Sequence, residues 1–233
     1  MIDFRCVREA SPLHKIVGST NWKAITQLPN FYTTWNGSNW DTYYRPILKK
    51  EKGDNERRRR RLEERGRLTF ECIEGDKCAP VIAWTLANQK PKAARPAHYD
   101  YLTLAASAPS RHGRFVAFTL KVDDELIATL LCLIDETKVE ARLTAYDASF
   151  SRYAPGKILW GACLKWAFDR SLTFEMGFGN FAYKRRWANH ENTVTKYEIA
   201  NSLRYAFCLR WPTLIALAHR YQGARKTLAC RHG

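Results

Sequence analysis

Three short stretches hold residue types whose spacing could do chemistry. The first is Arg152-Tyr-Ala-Pro-Gly-Lys157. Pro155 suits the first position of a helix, where its missing N–H is not needed. Gly156 lets backbone approach a ligand closely. A helix starting here would aim free N–H groups and a positive dipole end at an anion. With Arg152 and Lys157 adding charge, a pyrophosphate could sit there. The plain alternative is an ordinary helix start with surface charges. The second stretch is Phe174-Glu-Met-Gly-Phe-Gly-Asn-Phe-Ala-Tyr-Lys184. Glu175 at a strand end could serve as acid or base, and the phenolic proton of Tyr183 could go to a leaving thiolate. Lys184 could bind an anionic substrate group or orient the loop. The alternative is a glycine-rich turn followed by a basic surface segment. The third is the five-arginine run Arg57–Arg61. It reads either as a polyanion contact or as a solvated helix whose arginines pair with Glu56, Glu63 and Glu64 at i±3 and i±4.

Other chemistries find little support. His14, His98, His112, His190, His219 and His232 show no HxxxH or HExxH spacing, so no metal site is expected. No nucleophile-elbow, Walker, dinucleotide-binding or kinase signature occurs. The seven cysteines are odd in number, scattered and without a CxxC pair, which predicts reduced, packed thiols in a cytoplasmic protein. No run of 18 or more apolar residues predicts a membrane span, and the first residues lack the apolar core of a secretory signal. Lys and Arg number 38 against 23 Asp and Glu, a net charge of +15. Such a field draws polyanions: nucleic acid, an acidic membrane surface or a phosphorylated cofactor. Basic residues concentrate at Lys49–Arg67 and from Arg204 to Arg231.

The elements that must position these residues follow from periodicity. Residues 1 to 39 read as irregular apart from a short strand around Asn30–Thr34. Asn39 or Asp41 can cap a helix on which Trp40, Tyr43, Tyr44, Ile47 and Leu48 share one face. A second helix runs from Asn55 to Arg65 and stops at Gly66. Leu68–Ile73 alternates as a strand. A helix follows near Pro80–Gln89 with Asp76 as its cap, then a linker over Lys90–Pro96, a short helix over His98–Ala106 and a turn to Gly113. Arg114–Val122, Leu126–Ile134 and Val139–Tyr146 are three strands joined by tight turns, an antiparallel meander. A helix over Lys157–Arg170 then crosses to a strand over Leu172–Met176, a βαβ unit with parallel strands. Tyr183–Trp187 reads as loop, Thr195–Ala200 as a last strand, and Pro212–Ala224 as a helix leading into a basic tail. Where an antiparallel meander turns parallel through one helix, the two parallel strands splay, and backbone groups at their ends lose partners.

These residues resemble a known family. The order of elements is similar to the Gcn5-related N-acetyltransferase (GNAT) superfamily, and more closely to the bacterial acetyltransferase-like domain linked to cellulose and exopolysaccharide biosynthesis, akin to Fem-type aminoacyl transferases. Three segments carry the likeness: Trp40 to Leu48 with Arg57-Arg-Arg-Arg-Arg-Arg-Leu-Glu-Glu-Arg-Gly-Arg-Leu68, Ala145-Tyr-Asp-Ala-Ser-Phe-Ser-Arg-Tyr-Ala-Pro-Gly-Lys157, and Phe174 to Trp187. The sequence departs from the family at Glu175, usually Asp, at Asn180 and Phe181, usually acidic, and at Ala154, usually Ser.

The resemblance implies an α+β fold: a mainly antiparallel GNAT-like sheet with a parallel splayed pair and flanking helices. It divides the chain into an N-terminal segment (1–39), an acyltransferase domain (40–202) and a basic C-terminal helix and tail (203–233). It implies acyl transfer, most simply of acetyl, from acyl-coenzyme A as co-substrate to an amine or hydroxyl acceptor in polysaccharide or cell-envelope biosynthesis. The donor would lie between the strands ending at Tyr146 and Met176. Backbone N–H groups near Ala145 and Tyr146 would polarise the thioester carbonyl, and Arg152, Pro155, Gly156 and Lys157 would hold the pyrophosphate. Glu175 or Asp147 would be the base, Tyr183 or Tyr153 the acid, and Lys184 and Trp187 would contact the acceptor. The competing reading is a basic relative, non-catalytic or tRNA-linked, that binds a polyanion through Arg57–Arg61.

Overall fold

The computed structural model of the protein describes residues 2–8, 11–18, 23–35, 37, 39–50, 53–89 and 113–199. The expected linker, helix and turn between Lys90 and His112, and the helix and basic tail after Ala200, lie outside the described residues. The chain divides into two units, one of Met1–Leu28 with Thr193–Gly233 and one of Pro29–Asn192.

The smaller unit contains β1 (Ile2–Arg8) and α1 (Pro12–Gly18). β2 (Lys23–Thr33) begins in it, and most of β8 (His190–Ile199) belongs to it. β1 runs antiparallel to β8, from Ile2 opposite Ile199 to Arg8 opposite Val194. Val7 and Tyr197 are buried with Leu13 packed on them, and the Tyr197 hydroxyl lies 2.9 Å from His14 Nδ1. The strand expected around Asn30–Thr34 is the end of β2, and the segment before it, read as irregular, also holds regular elements. Two features hid them. A register shift between Phe4 and Val7 breaks the two-residue period of β1, and Pro29 sits inside β2, where a proline argues against a strand.

In the larger unit the strands lie in the order β2-β7-β6-β5-β4-β3. Here β3 is Leu68–Glu74, β4 Arg114–Val122, β5 Glu125–Ile134, β6 Lys138–Tyr146 and β7 Thr173–Phe178. All neighbours are antiparallel except β6 and β7. The turns explain why the meander closes tightly. Asp123 takes a left-handed conformation, and its carboxylate accepts from Arg67 N at 2.9 Å. The Asp135 carboxylate accepts from Thr137 N, Thr137 Oγ1 and Lys138 N.

The middle strands read as continuous apolar runs because both their faces are covered. On one side Val116, Phe118, Leu120, Leu130 and Cys132 join the core under the long helix α5 (Pro155–Phe168), whose Leu159, Cys163 and Leu164 are fully buried. On the other, Phe115, Ala117 and Leu131 pack against Cys78, Val81 and Ile82 of α4 (Cys78–Ala87). α2 (Trp40–Lys50) is capped by Asn39, whose Oδ1 accepts from Thr42 N at 2.7 Å, and it packs Trp40 and Tyr43 against Trp35. α3 (Asp54–Glu63) carries the arginine run.

Tyr183–Trp187, read as loop, lies in α6 (Ala182–Trp187). The charge on Lys184 disguised the pattern: Lys184 is buried together with Trp187, so a basic residue occupies the inward face of the helix.

Candidate active site

The parallel pairing of β6 and β7 is short. Lys138, Val139 and Glu140 stand opposite Thr173, Phe174 and Glu175, and pairing stops there. β7 continues along β2 as far as Phe178 opposite Asn30, while β6 continues along β5 to Tyr146 opposite Ala128. Gly177 marks the divergence. Its φ is 74°, and a Cβ there would stand 3.3 Å from the Ala141 carbonyl oxygen. From Ala141 to Tyr146 the β7-facing edge of β6 has no partner strand among the described residues, and apart from the Thr144 carbonyl, which Gln89 holds, its polar groups can take a ligand's amides.

The chain then turns directly into α5. Asp147 caps a 3-10 turn over Ala148–Tyr153, its carboxylate accepting from Ser149 N at 2.8 Å and Ser149 Oγ at 2.7 Å. Ala154, left-handed at φ 50°, directs Pro155 into the first helical position. Lys157 N and Ile158 N both donate to the Ala154 carbonyl, which leaves the Gly156 N–H outside the helix's own ladder. A Cβ on Gly156 would lie 3.8 Å from the ring of Tyr146, so the end of β6 and the start of α5 adjoin. Tyr146 is 37% exposed at this edge. Arg152 donates to the Tyr153 hydroxyl at 2.7 Å, and its guanidinium lies 4.7 Å from the centre of the same ring.

The structure thus brings Tyr146, Asp147, Arg152, Tyr153, Pro155 and Gly156 to one end of the diverging strands, while Lys157, in the first turn of α5, lines a separate cavity. Glu175 belongs to a different face. Phe174 and Met176 point into the core beneath α5, so Glu175 points away from it. It is 6% exposed, and its Oε2 lies 3.8 Å from Lys138 Nζ, which is also 3.8 Å from Glu140 Oε2. Tyr183 lies edge-on to Trp160 at 5.8 Å, and burial raises the pKa of its hydroxyl.

Two residues expected at the acceptor are buried and engaged within the fold. Trp187 is 1% exposed and sits in the core, where its carbonyl accepts from Thr33 Oγ1 and the Tyr43 hydroxyl. It is a packing residue, because its indole has no open face. Lys184 Nζ donates to the carbonyls of Gly177 at 3.1 Å and Phe178 at 2.9 Å. These bonds tie the Lys184 side chain to the backbone where β7 leaves β6. Burial brings the Lys184 pKa down to about 8.

A cavity of about 610 Å³ lies on another flank of α5, lined by Trp40, Tyr44, Phe70 and Trp166 among others, and none of its lining residues belongs to β6 or β7. Among the described residues no group of three or more His, Cys, Asp or Glu side chains could hold a metal ion, and no helix is long and apolar enough to cross a membrane.

Residues 49–185, more than half of the chain, match the family model described as an acetyltransferase (GNAT) domain. The chain belongs to the GNAT acetyltransferase-domain family. No curated protein matches it by sequence. Among solved structures it resembles FemX, with a TM-score of 0.59 at 11% identity over 89% of this chain and 73% of FemX. It also resembles the C-terminal domain of a candidate lysylphosphatidylglycerol synthetase from Agrobacterium fabrum, with a TM-score of 0.55 at 14% identity over 91% of this chain and 72% of that one. A conserved protein of unknown function from Bacteroides thetaiotaomicron gives 0.50 at 11% identity, over 84% and 67% respectively. At such identities the likeness is one of fold.

Three residues of this GNAT domain that the sequence did not tie to these segments adjoin them. Lys138 meets Glu175 only because strand register sets Glu140 beside Glu175. Gln89, ending α4, donates to the Thr144 carbonyl on β6. Arg58 donates to the Arg152 carbonyl at 2.9 Å, joining α3 to the turn before α5. Nothing local signals the first two; the third was legible only as one arginine in a run.

Proposed function

We propose that this GNAT domain moves an acyl group, acetyl in the simplest case, from acyl-coenzyme A to an amine or hydroxyl acceptor in cell-envelope or polysaccharide synthesis. The observation that carries this reading is the divergence of β6 from β7 with the start of α5 at its edge. The donor's pantetheine amides would bond along Ala141–Tyr146, its pyrophosphate would take the Gly156 N–H with Arg152 and Lys157 beside it, and Tyr146 would flank the arm. Backbone N–H near Ala145 and Tyr146 would polarise the thioester carbonyl. The acceptor's lone pair attacks that carbon, the carbon–sulfur bond breaks, and the acceptor's proton leaves to a base. Glu175 suits that base, directly or through water, because the Asp147 carboxylate is engaged in capping its turn. Tyr183 suits the acid that protonates the leaving thiolate, since burial keeps its phenol protonated; the Tyr153 hydroxyl is already held by Arg152. The fold shared with a domain named for lysylphosphatidylglycerol synthesis supports an envelope setting.

Titration calorimetry with acetyl-coenzyme A at moderate salt, with ATP as polyanion control, tests this. Saturable binding that ATP does not reproduce is the expected result. Equal binding of the two, or none, would overturn the donor site and favour the polyanion reading, to which the net charge of +15 points.

A further inference from the structure

The arginine run does not present one uniform charged surface. On one side of α3, Arg59 pairs with Glu63 at 2.9 Å, an ordinary solvated i,i+4 pair. On the other, Arg57, Arg58, Arg61 and Arg65 line a recess of about 510 Å³ with Arg152 and Tyr153, and Glu64 is the carboxylate on its wall. Asp54 holds Arg57 at 2.6 Å and Arg58 at 2.5 Å. Arg61 and Arg65 ion-pair with no carboxylate among the described residues. Arg57 and Arg61 also stand at i,i+4 on α3, where like charges repel, and Arg65, in the turn just past the helix, lines the same recess. An anion seated among them would relieve that repulsion.

The recess adjoins the turn that leads into α5, since Arg152 and Tyr153 line it. Arg58 reaches the Arg152 carbonyl, and Arg152 lies in the turn that leads to Gly156. The Arg152 guanidinium over the Tyr153 ring offers a flat cationic surface of the kind on which a purine stacks. Two anion sites then stand side by side: the start of α5, and Arg61 with Arg65. Coenzyme A carries two separate anionic groups at its nucleotide end, the pyrophosphate and the 3′-phosphate.

We propose that this recess holds the 3′-phosphoadenosine end of the acyl-coenzyme A donor, with the adenine against Arg152 and the 3′-phosphate between Arg61 and Arg65. The proposal rests on the donor reading above and narrows it. It makes the enzyme selective for coenzyme A thioesters over donors that present the same phosphopantetheine arm without a 3′-phosphorylated nucleotide. A nucleic acid fits less well, because the charge is gathered in a bounded hollow and the neighbouring face of α3 is neutralised by Glu63.

The test compares acetyl-coenzyme A with acetyl-dephospho-coenzyme A, which lacks only the 3′-phosphate, by calorimetry on the full chain and on the Arg61→Ala/Arg65→Ala variant. Neither arginine makes an ion pair among the described residues, so the variant should fold, and its circular dichroism melt verifies that. Charge-assisted phosphate contacts of this kind predict that wild type binds acetyl-coenzyme A about tenfold or more tighter than the dephospho form. The variant should lose that preference, binding the two alike. Equal affinity of wild type for the two donors, or a folded variant that keeps the preference, would overturn the recess assignment while leaving the donor site standing. No binding of acetyl-coenzyme A by folded wild type would overturn both. Displacement of bound acetyl-coenzyme A by tRNA at stoichiometric concentration would replace the nucleotide with nucleic acid as the occupant.

Discussion

Single residues around the diverging strands divide between those left open for a ligand and those already engaged. Gly156 is open: a Cβ there meets only the Tyr146 ring, at an ordinary 3.8 Å. Gly156→Asp should therefore fold, with a melting temperature near that of wild type, and should weaken acetyl-coenzyme A binding more than tenfold by setting a carboxylate where the pyrophosphate belongs. Unchanged affinity would move the phosphate site elsewhere. Lys184 is engaged, and its burial makes a pH prediction. Below pH 8 the lysine is protonated in both the folded and the unfolded chain. Between about 8 and the ordinary lysine value of 10.5 the unfolded chain holds a proton that the folded one has released. Stability from this residue therefore rises with pH across that window. Denaturant midpoints of wild type and Lys184→Met should draw apart in wild type's favour between pH 8 and pH 10. A difference that stays flat would mean the lysine keeps its proton in the fold.

At the scale of elements, the site depends on how β6 is joined to α5. An eight-residue connection, Asp147 to Ala154, must reverse the chain and aim the helix start at the strand edge. Its order comes from the Asp147 carboxylate bonded to Ser149 and from the left-handed Ala154. Loss of the cap in Asp147→Ala should cost about 1 kcal/mol of stability. It should also raise KM for the acyl donor more than it lowers kcat, because it loosens the phosphate site without touching the reacting atoms. A fall in kcat with KM unchanged would instead give Asp147 a chemical role. The meander was legible in advance because its strands are bounded by aspartate turns and covered on both faces. α6 was not, since a buried lysine breaks the apolar period from which helices are read.

For the molecule as a whole, the core beneath α5 seals Cys132 and Cys163, whose thiols burial holds well above their usual pKa. Peptide mapping after iodoacetamide treatment should find both unmodified in the native protein and modified after denaturation; labelling in the native state would show that this core opens. The sequence by itself determined the three-stranded meander, the crossover helix, the glycine and proline at its start and the excess of positive charge. These depend on local periodicity and turn chemistry, which neighbouring residues carry. Tertiary structure alone decided β1 and the part of β2 before Asn30, where a register shift and a proline mask the alternation. It also decided that Trp187 belongs to the core, that Lys138 meets Glu175, and which of five consecutive arginines share a recess. Each of those depends on which residues distant in the chain become neighbours, and on which face of an element is covered, and no window of sequence contains that information.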